Sequence, residues 1–333
     1  MIAPALPWQD AHWRRVVAMH AEGRLPHALL LRGPEGVGKR HFARRLLAAA
    51  LCEAPAFADA PCGRCRACRL VKAGTHPDLH AVAPPEDKTR IGIEQIRDLI
   101  ARVALTAQYG GRKAVLVAPA ERMTRAAANT LLKTLEEPPG DALFVLAAHR
   151  AGALPATIRS RCQILDFPTP ETATAESWLA AELDSADAAT AVLRLAHGAP
   201  LAARAMAAAG GIEARETILE DLASLVGGSG DPLASAEHWR DIGLVDALAW
   251  LQSVVCDLVR LKNGRMAHTL THSDRADAMQ DLARRLDLMR LFRIFDHIVE
   301  ARRAALGALN LNEQLLLEGI AIEWRPGAAR RGT

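Results

Sequence analysis

Between Gly33 and Arg40 the chain reads GPEGVGKR, one residue after the apolar run Ala28-Leu29-Leu30-Leu31. This stretch constrains the fold more than any other. A buried strand that runs into a Gly-rich turn and then a helix aims backbone N–H groups and a lysine at phosphate oxygens. Gly33, Gly36, Gly38 and Lys39 fit that phosphate-loop pattern. The last position does not, because magnesium-dependent chemistry needs a serine or threonine hydroxyl where this chain has Arg40. The acidic partner is missing as well: the candidate neighbouring strand at Lys113–Val117 runs into Ala118-Pro119-Ala120, and Glu121 comes several positions late. A proline cannot polarise water. The expectation is therefore a chain built on an ATPase frame that does not turn over ATP by itself. ATP or ADP held at Gly33, Gly36, Gly38 and Lys39 without turnover, and a turn that binds nothing, both stay open.

Around the loop, short apolar runs at Ala28–Leu31, Leu79–Val82, Ala114–Val117 and Ala142–Leu146 alternate with helical patterns. The helices are expected over Lys39–Leu51, Ile93–Leu105 and Thr124–Glu136, the last with Thr124 as its N-cap and Pro138-Pro139 as its stop. Such alternation predicts a parallel sheet covered by helices on both faces, with its ligand site at the strand C-termini. After Phe167-Pro168-Thr169-Pro170 the strand signal ends. Three short helical runs follow from Glu171 to Ala209, broken near Asp184 and at His197-Gly198-Ala199-Pro200. Beyond Gly210-Gly211 the pattern is amphipathic and helical, with breaks at Gly227–Pro232 and near Asn263-Gly264, and a basic Gly-rich tail from Arg325 expected to fray. The 333 residues leave room for two or three domains of about 100 to 200 residues each. The expected division is an α/β domain over 1–167, a small helical domain over 168–209 and an all-α domain over 210–333.

Cys62-Gly63-Arg64-Cys65-Arg66-Ala67-Cys68 sets three thiols two residues apart, and Cys52 precedes them by nine intervening residues. Knuckles of this spacing let two sulfurs reach one tetrahedral ion, and four cysteines close its shell, so a structural Zn2+ site in a lobe over 52–74 is expected. Arg64, Arg66 and Arg69 would offset the charge of four thiolates. His76 is an alternative to Cys52 as fourth ligand, while Cys162 and Cys256 read as ordinary small core residues. No apolar run approaches the ~20 residues that span a bilayer, and MIAPALPWQDAHWRR has no signal-peptide pattern, so a cytoplasmic chain is expected. A reducing compartment makes clustered thiols metal ligands rather than disulfides. The net charge of +3 is too small to argue for nucleic acid by itself.

Three further segments carry a resemblance: AAANTLLKTLEEPP from Ala126 to Pro139, Gly74-Thr75-His76-Pro77-Asp78, and Ile158-Arg159-Ser160-Arg161-Cys162. With the cysteine cluster they make the chain similar to the clamp-loader branch of the AAA+ proteins of bacterial replication, most closely from Leu25 to Phe167. The resemblance implies an AAA+ core, a small helical lid and a helical collar that joins subunits into a ring. It implies gamma/tau-type motor subunits and a delta subunit as partners, with the sliding clamp and primed DNA in the assembled complex. It also implies a non-hydrolysing stator whose Ser-Arg-Cys arginine, Arg161, reaches the phosphate of ATP held by an adjacent motor subunit. The alternative from the same branch is an active gamma/tau-type ATPase, which would have to tolerate Arg40 and Pro119. Two departures bear on this choice: Lys39 is retained where stator members often lose it, and Gly198-Ala199-Pro200-Leu201 has Leu201 where ATP-sensing members carry arginine. His149 stands near the usual polar sensor position after the Ala142–Ala148 run.

Overall fold

Alternate residues of one strand organise the N-terminal half. In the computed structural model, which describes residues 4–109, 111–266, 269–305 and 312–326, Leu29 and Leu31 of β1 (Ala28–Arg32) pack on one side of the sheet, and Ala28 and Leu30 on the other. On the first side lie Trp13 and Val16 of α1 (Asp10–Ala21) and Phe42 and Leu46 of α2 (Lys39–Ala50). The short α3 (Arg66–Ala73) belongs to the cysteine-bearing lobe. Ile96 and Leu99 of α4 (Ile93–Ala104), with Ala127 and Leu131 of α5 (Arg125–Glu136), cover the opposite side. Covered on both faces, β3 (Lys113–Val117) and β4 (Ala142–Ala148) are buried along their whole length, which explains why they read as unbroken apolar runs.

The sheet, completed by β2 (Leu79–Val82) and β5 (Gln163–Asp166), is entirely parallel in the order β2-β3-β4-β1-β5. Register is set by pairs such as Ala28 with Phe144 and Leu29 with Gln163. A parallel sheet flanked by helices is thus the architecture of this half, as the alternating pattern predicts. Thr124 caps α5 as expected, its hydroxyl accepting from the Ala127 N–H at 3.2 Å. The four-residue α6 (Ala156–Arg159) leads from β4 toward β5. Neither α1 nor β5 was foreseen from the sequence.

The chain forms two compact units, one of residues 1–178 with 198–202, the other of 179–197 with 203–333. The second is helical: it takes the end of α7 (Thr172–Leu183), α8 (Ala186–Leu195), α9 (Pro200–Ala208) from residue 203 on, its first turn counting with the first unit, then α10 (Gly211–Gly227), α11 (Pro232–Ile242), α12 (Leu244–Lys262), α13 (Ala276–Arg285), α14 (Leu288–Ala305) and α15 (Glu313–Glu323). Its core gathers Trp239, Leu251, Val254, Leu258, Ile294, Ile298, Leu317 and Trp324. The breaks expected near Asp184 and His197 fall at residues with φ of 52°, a left-handed conformation that ends a helix. A break at Gly243, between α11 and α12, was not foreseen. The tail predicted to fray lies, from Gly327 onward, outside the described residues. Among the described residues no single helix is long and apolar enough to cross a membrane.

Candidate functional site

The phosphate-type loop lies where the strand-to-helix logic puts it, between the C-terminal end of β1 and α2. Gly36 and Gly38 adopt φ of 79° and 93°, values open to glycine, and turn the chain into the helix. A side chain at Gly36 would also collide with Ala202, since its Cβ would stand 2.4 Å from the Ala202 Cβ. The loop is held from outside by hydrogen bonds. The Trp8 indole donates to the Val37 carbonyl at 2.9 Å, Gln9 Nε2 to the Gly38 carbonyl at 2.9 Å, and the Leu201 N–H to the Gly36 carbonyl at 2.9 Å.

Lys39, the residue that would meet a phosphate, is turned inward. Its side chain is almost fully buried, and Nζ donates to the Gly33 carbonyl at 2.7 Å, to the Pro34 carbonyl, and to His149 Nδ1 at 3.1 Å. Burial pushes the Lys39 ammonium down to about 8, against Glu121 and Glu35, which pull it up. Because the ammonium donates to Nδ1, the His149 proton sits on Nε2, and burial followed by the Lys39 charge holds the ring neutral. Glu121 lies close to this pair: its Oε1 accepts from the backbone N–H groups of His149 at 3.0 Å and Arg150 at 3.4 Å, while Oε2 is buried with no partner among the described residues. By sequence spacing Glu121 comes several positions late for the acidic partner of a phosphate loop, and the fold brings it across 28 residues to the end of β4. Arg40 is exposed on α2. Val117 ends β3 and is followed by Ala118 and Pro119, neither of which carries an acidic group.

This inward lysine leads to a testable expectation. Lys39→Met removes the ammonium that holds the Gly33 and Pro34 carbonyls, and hydrogen bonds to a charged donor contribute about 1.5–3 kcal/mol. Denaturant unfolding without nucleotide should show that loss, with faster hydrogen exchange over residues 33–38. A stability equal to that of the parent chain would mean the lysine serves only a ligand.

Arg161 stands just past α6 with one third of its side chain exposed. Its Nε donates to Glu136 Oε1 at 2.6 Å, an Nη2–H meets the same oxygen, and Nη1 donates to the Thr157 carbonyl at 3.0 Å.

The four expected thiols converge. Sγ of Cys52, Cys62, Cys65 and Cys68 lie within 4.8 Å of one another, with Cys52 to Cys65 at 3.9 Å and Cys52 to Cys68 at 3.6 Å. Sulfurs bound about 2.3 Å from one tetrahedral ion stand about 3.8 Å apart, so the set fits a thiophilic metal ion. Backbone N–H groups aim at the sulfurs: Cys62 donates to Cys52 and Cys65 to Cys62 at 3.4 Å, and Cys68 to Cys65 at 3.3 Å. The N–H groups of Arg64 and Cys65 bring the Cys62 thiol down to about 6, whereas burial raises Cys52 and Cys68. Of the neighbouring arginines, Arg66 lies over the Tyr109 ring at 4.8 Å, and Arg69 donates to the Arg64 carbonyl at 3.0 Å. His76 is not in this cluster; its Nδ1 accepts from the Asp78 N–H at 3.1 Å. Cys162 is buried and Cys256 partly buried.

Comparison with known proteins bears on both halves. The family model described as DNA polymerase III, delta subunit, matches residues 8–171, and the one described as DNA polymerase III, delta subunit, C terminal, matches residues 209–325. The DNA polymerase III subunit delta' of Pseudomonas aeruginosa is 37% identical over 97% of this chain and 98% of its own length. That of Escherichia coli is 35% identical over 95% of this chain and 94% of its own. The DNA polymerase III subunit tau of Salmonella typhimurium is 39% identical over 42% of this chain and 21% of its own length. With two delta' chains aligned nearly end to end and both halves matched by delta models, the chain belongs to the delta-prime subunit family of DNA polymerase III.

Proposed function

We propose that this chain is the stator of the DNA polymerase III clamp loader: it helps place the sliding clamp on primed DNA, does not hydrolyse ATP itself, and offers Arg161 to ATP on a neighbouring motor subunit. The observation that carries this reading is the state of the loop. Lys39 is spent on its own carbonyls and on His149, Arg40 replaces the magnesium-binding hydroxyl, and Pro119 follows the strand that should end in carboxylates. A nucleotide at Gly33, Gly36, Gly38 and Lys39 would first have to draw the lysine away from those partners. Arg161 suits the donor role because its guanidinium sits on the surface, where a neighbour can reach it, and not in its own loop.

Under the same reading, residues 1–167 serve as the AAA+ core, 168–209 as the lid and 210–333 as the collar that assembles the ring with gamma/tau and delta subunits. The four cysteines hold Zn2+ as a closed structural centre: the ion would supply cross-linking of the lobe over 52–74 and no reactive position. The partial match to a tau subunit keeps an active motor ATPase as the competing reading. Turnover by the isolated chain separates the two. With magnesium and ATP but no other subunit, phosphate release should stay at the level of a protein-free control, while the chain still enters a complex of defined stoichiometry when the other loader subunits are added. Sustained release by the isolated chain would establish the motor reading and end the stator one.

A further inference from the structure

Glu136 closes α5 inside the Leu135-Glu136-Glu137-Pro138-Pro139 turn, 25 residues before the arginine it meets. One of its oxygens, Oε1, takes both the Nε–H and an Nη2–H of Arg161. The other edge of the guanidinium is held as well: Nη1 donates to the Thr157 carbonyl at 3.0 Å and to Ser160 Oγ at 3.4 Å. Arg161 and Glu136 keep 33% and 47% of their side chains exposed, and an ion pair that open to solvent does little for fold stability. What the contacts do accomplish is orientation. A long arginine side chain loses rotamer freedom whenever it engages a ligand, and a planar guanidinium fixed on both edges has lost that freedom beforehand.

We propose that Glu136 is a positioning residue, which holds the Arg161 guanidinium in the orientation that meets the phosphate of a nucleotide bound by a neighbouring subunit. This rests on the reading of Arg161 as an arginine presented in trans. The geometry sets what a replacement must retain. Both bonds from Arg161 go to a single oxygen, so the amide oxygen of glutamine can accept them without a negative charge, whereas alanine offers nothing. A carboxylate that instead competed with phosphate for the guanidinium would give the opposite ranking, with both replacements raising the rate.

The test uses the complete reconstituted loader with saturating clamp and primed DNA, and reads steady-state ATP hydrolysis for E136A, E136Q, R161A and the double variant E136A/R161A. Positioning predicts that E136A lowers kcat about tenfold with the KM for ATP unchanged, that E136Q keeps most of the rate, and that E136A adds nothing once Arg161 is gone. A wild-type or faster rate for E136A overturns the proposal, and so does an equal further drop in the R161A background, which would leave the arginine reading intact. If R161A itself keeps the full rate, the reading on which the proposal rests fails, and the proposal with it. Should E136A not assemble, E136D carries the test: the carboxylate is kept but withdrawn by one methylene, so a rate equal to wild type overturns positioning and a reduced kcat supports it.

Discussion

Arg161→Ala is expected to leave the chain folded and able to assemble, while turnover of the ATP at the adjoining motor subunit falls by about 10³-fold. The size follows from what a guanidinium does in phosphoryl transfer. Charge spreads over the oxygens of the transferred group in the transition state, and a fixed cation at the subunit boundary stabilises that charge more than it stabilises bound ATP. Little is lost in this chain itself, because the pair with Glu136 is exposed and removing it costs less than about 1 kcal/mol. The carboxylate left behind stays accessible to water. Arg161→Lys should not restore the rate, since an ammonium has neither the planar fork nor the reach of the Nε and Nη donors. Single-turnover hydrolysis by the reconstituted loader, with clamp and primed DNA present, is the measurement. An unchanged rate with R161A would remove this side chain from the chemistry, and a chain that no longer assembles would make it an interface residue instead.

The parts of this fold and site that the sequence disclosed are those in which cause and effect lie close together along the chain. The β1, β3 and β4 strands are legible because burial on both faces forces unbroken apolar runs, and Thr124 is legible as a cap because its partner is three residues away. The thiols of Cys62, Cys65 and Cys68 declare themselves by spacing alone. β5 escaped because polar Gln163 and Asp166 bracket only two apolar residues, of which just Leu165 is buried, so no apolar run forms, whereas β2 at the other edge of the sheet keeps apolar Leu79, Ala81 and Val82. α1 escaped because its apolar face is short and interrupted: Trp13 and Val16 are buried, Val17 and Met19 pack against the core only in part, and Asp10, His12, Arg14, Arg15 and His20 break the pattern. Long-range pairings were invisible altogether. Nothing local tells that Lys39 bends back to His149 across 110 residues, or that Glu136 meets Arg161, because those partners are chosen by the order of strands in the sheet.

Removing the metal is expected to loosen residues 52–74 and leave the sheet intact. Beside the sulfurs the lobe has a small apolar core: Ala60, Ala67, Cys68 and Val71 are its buried residues, Phe57 stacks against His20 at 4.0 Å and Trp13 at 6.1 Å, and Arg66 lies over Tyr109 at 4.8 Å. So small an apolar core cannot offset the entropy of ordering its backbone, whereas a closed zinc site contributes about 10–16 kcal/mol of apparent binding energy in small peptides near neutral pH. Metal analysis should find one zinc per chain in protein purified without chelator. Cys65→Ala should then bring zinc below one equivalent and abolish hydrogen-exchange protection over the lobe, while β1, β3 and β4 keep theirs. Cys65 is the informative ligand because its sulfur also caps α3 by accepting from the Cys68 N–H. Cys65→Ser keeps an acceptor for that cap but offers zinc a poorer ligand, so it separates the two roles. Lost protection in both variants assigns the order of the lobe to the metal; protection that survives in Cys65→Ser without zinc assigns it to the cap. Protection equal to wild type in fully chelated protein would mean that the four sulfurs hold their places without an ion.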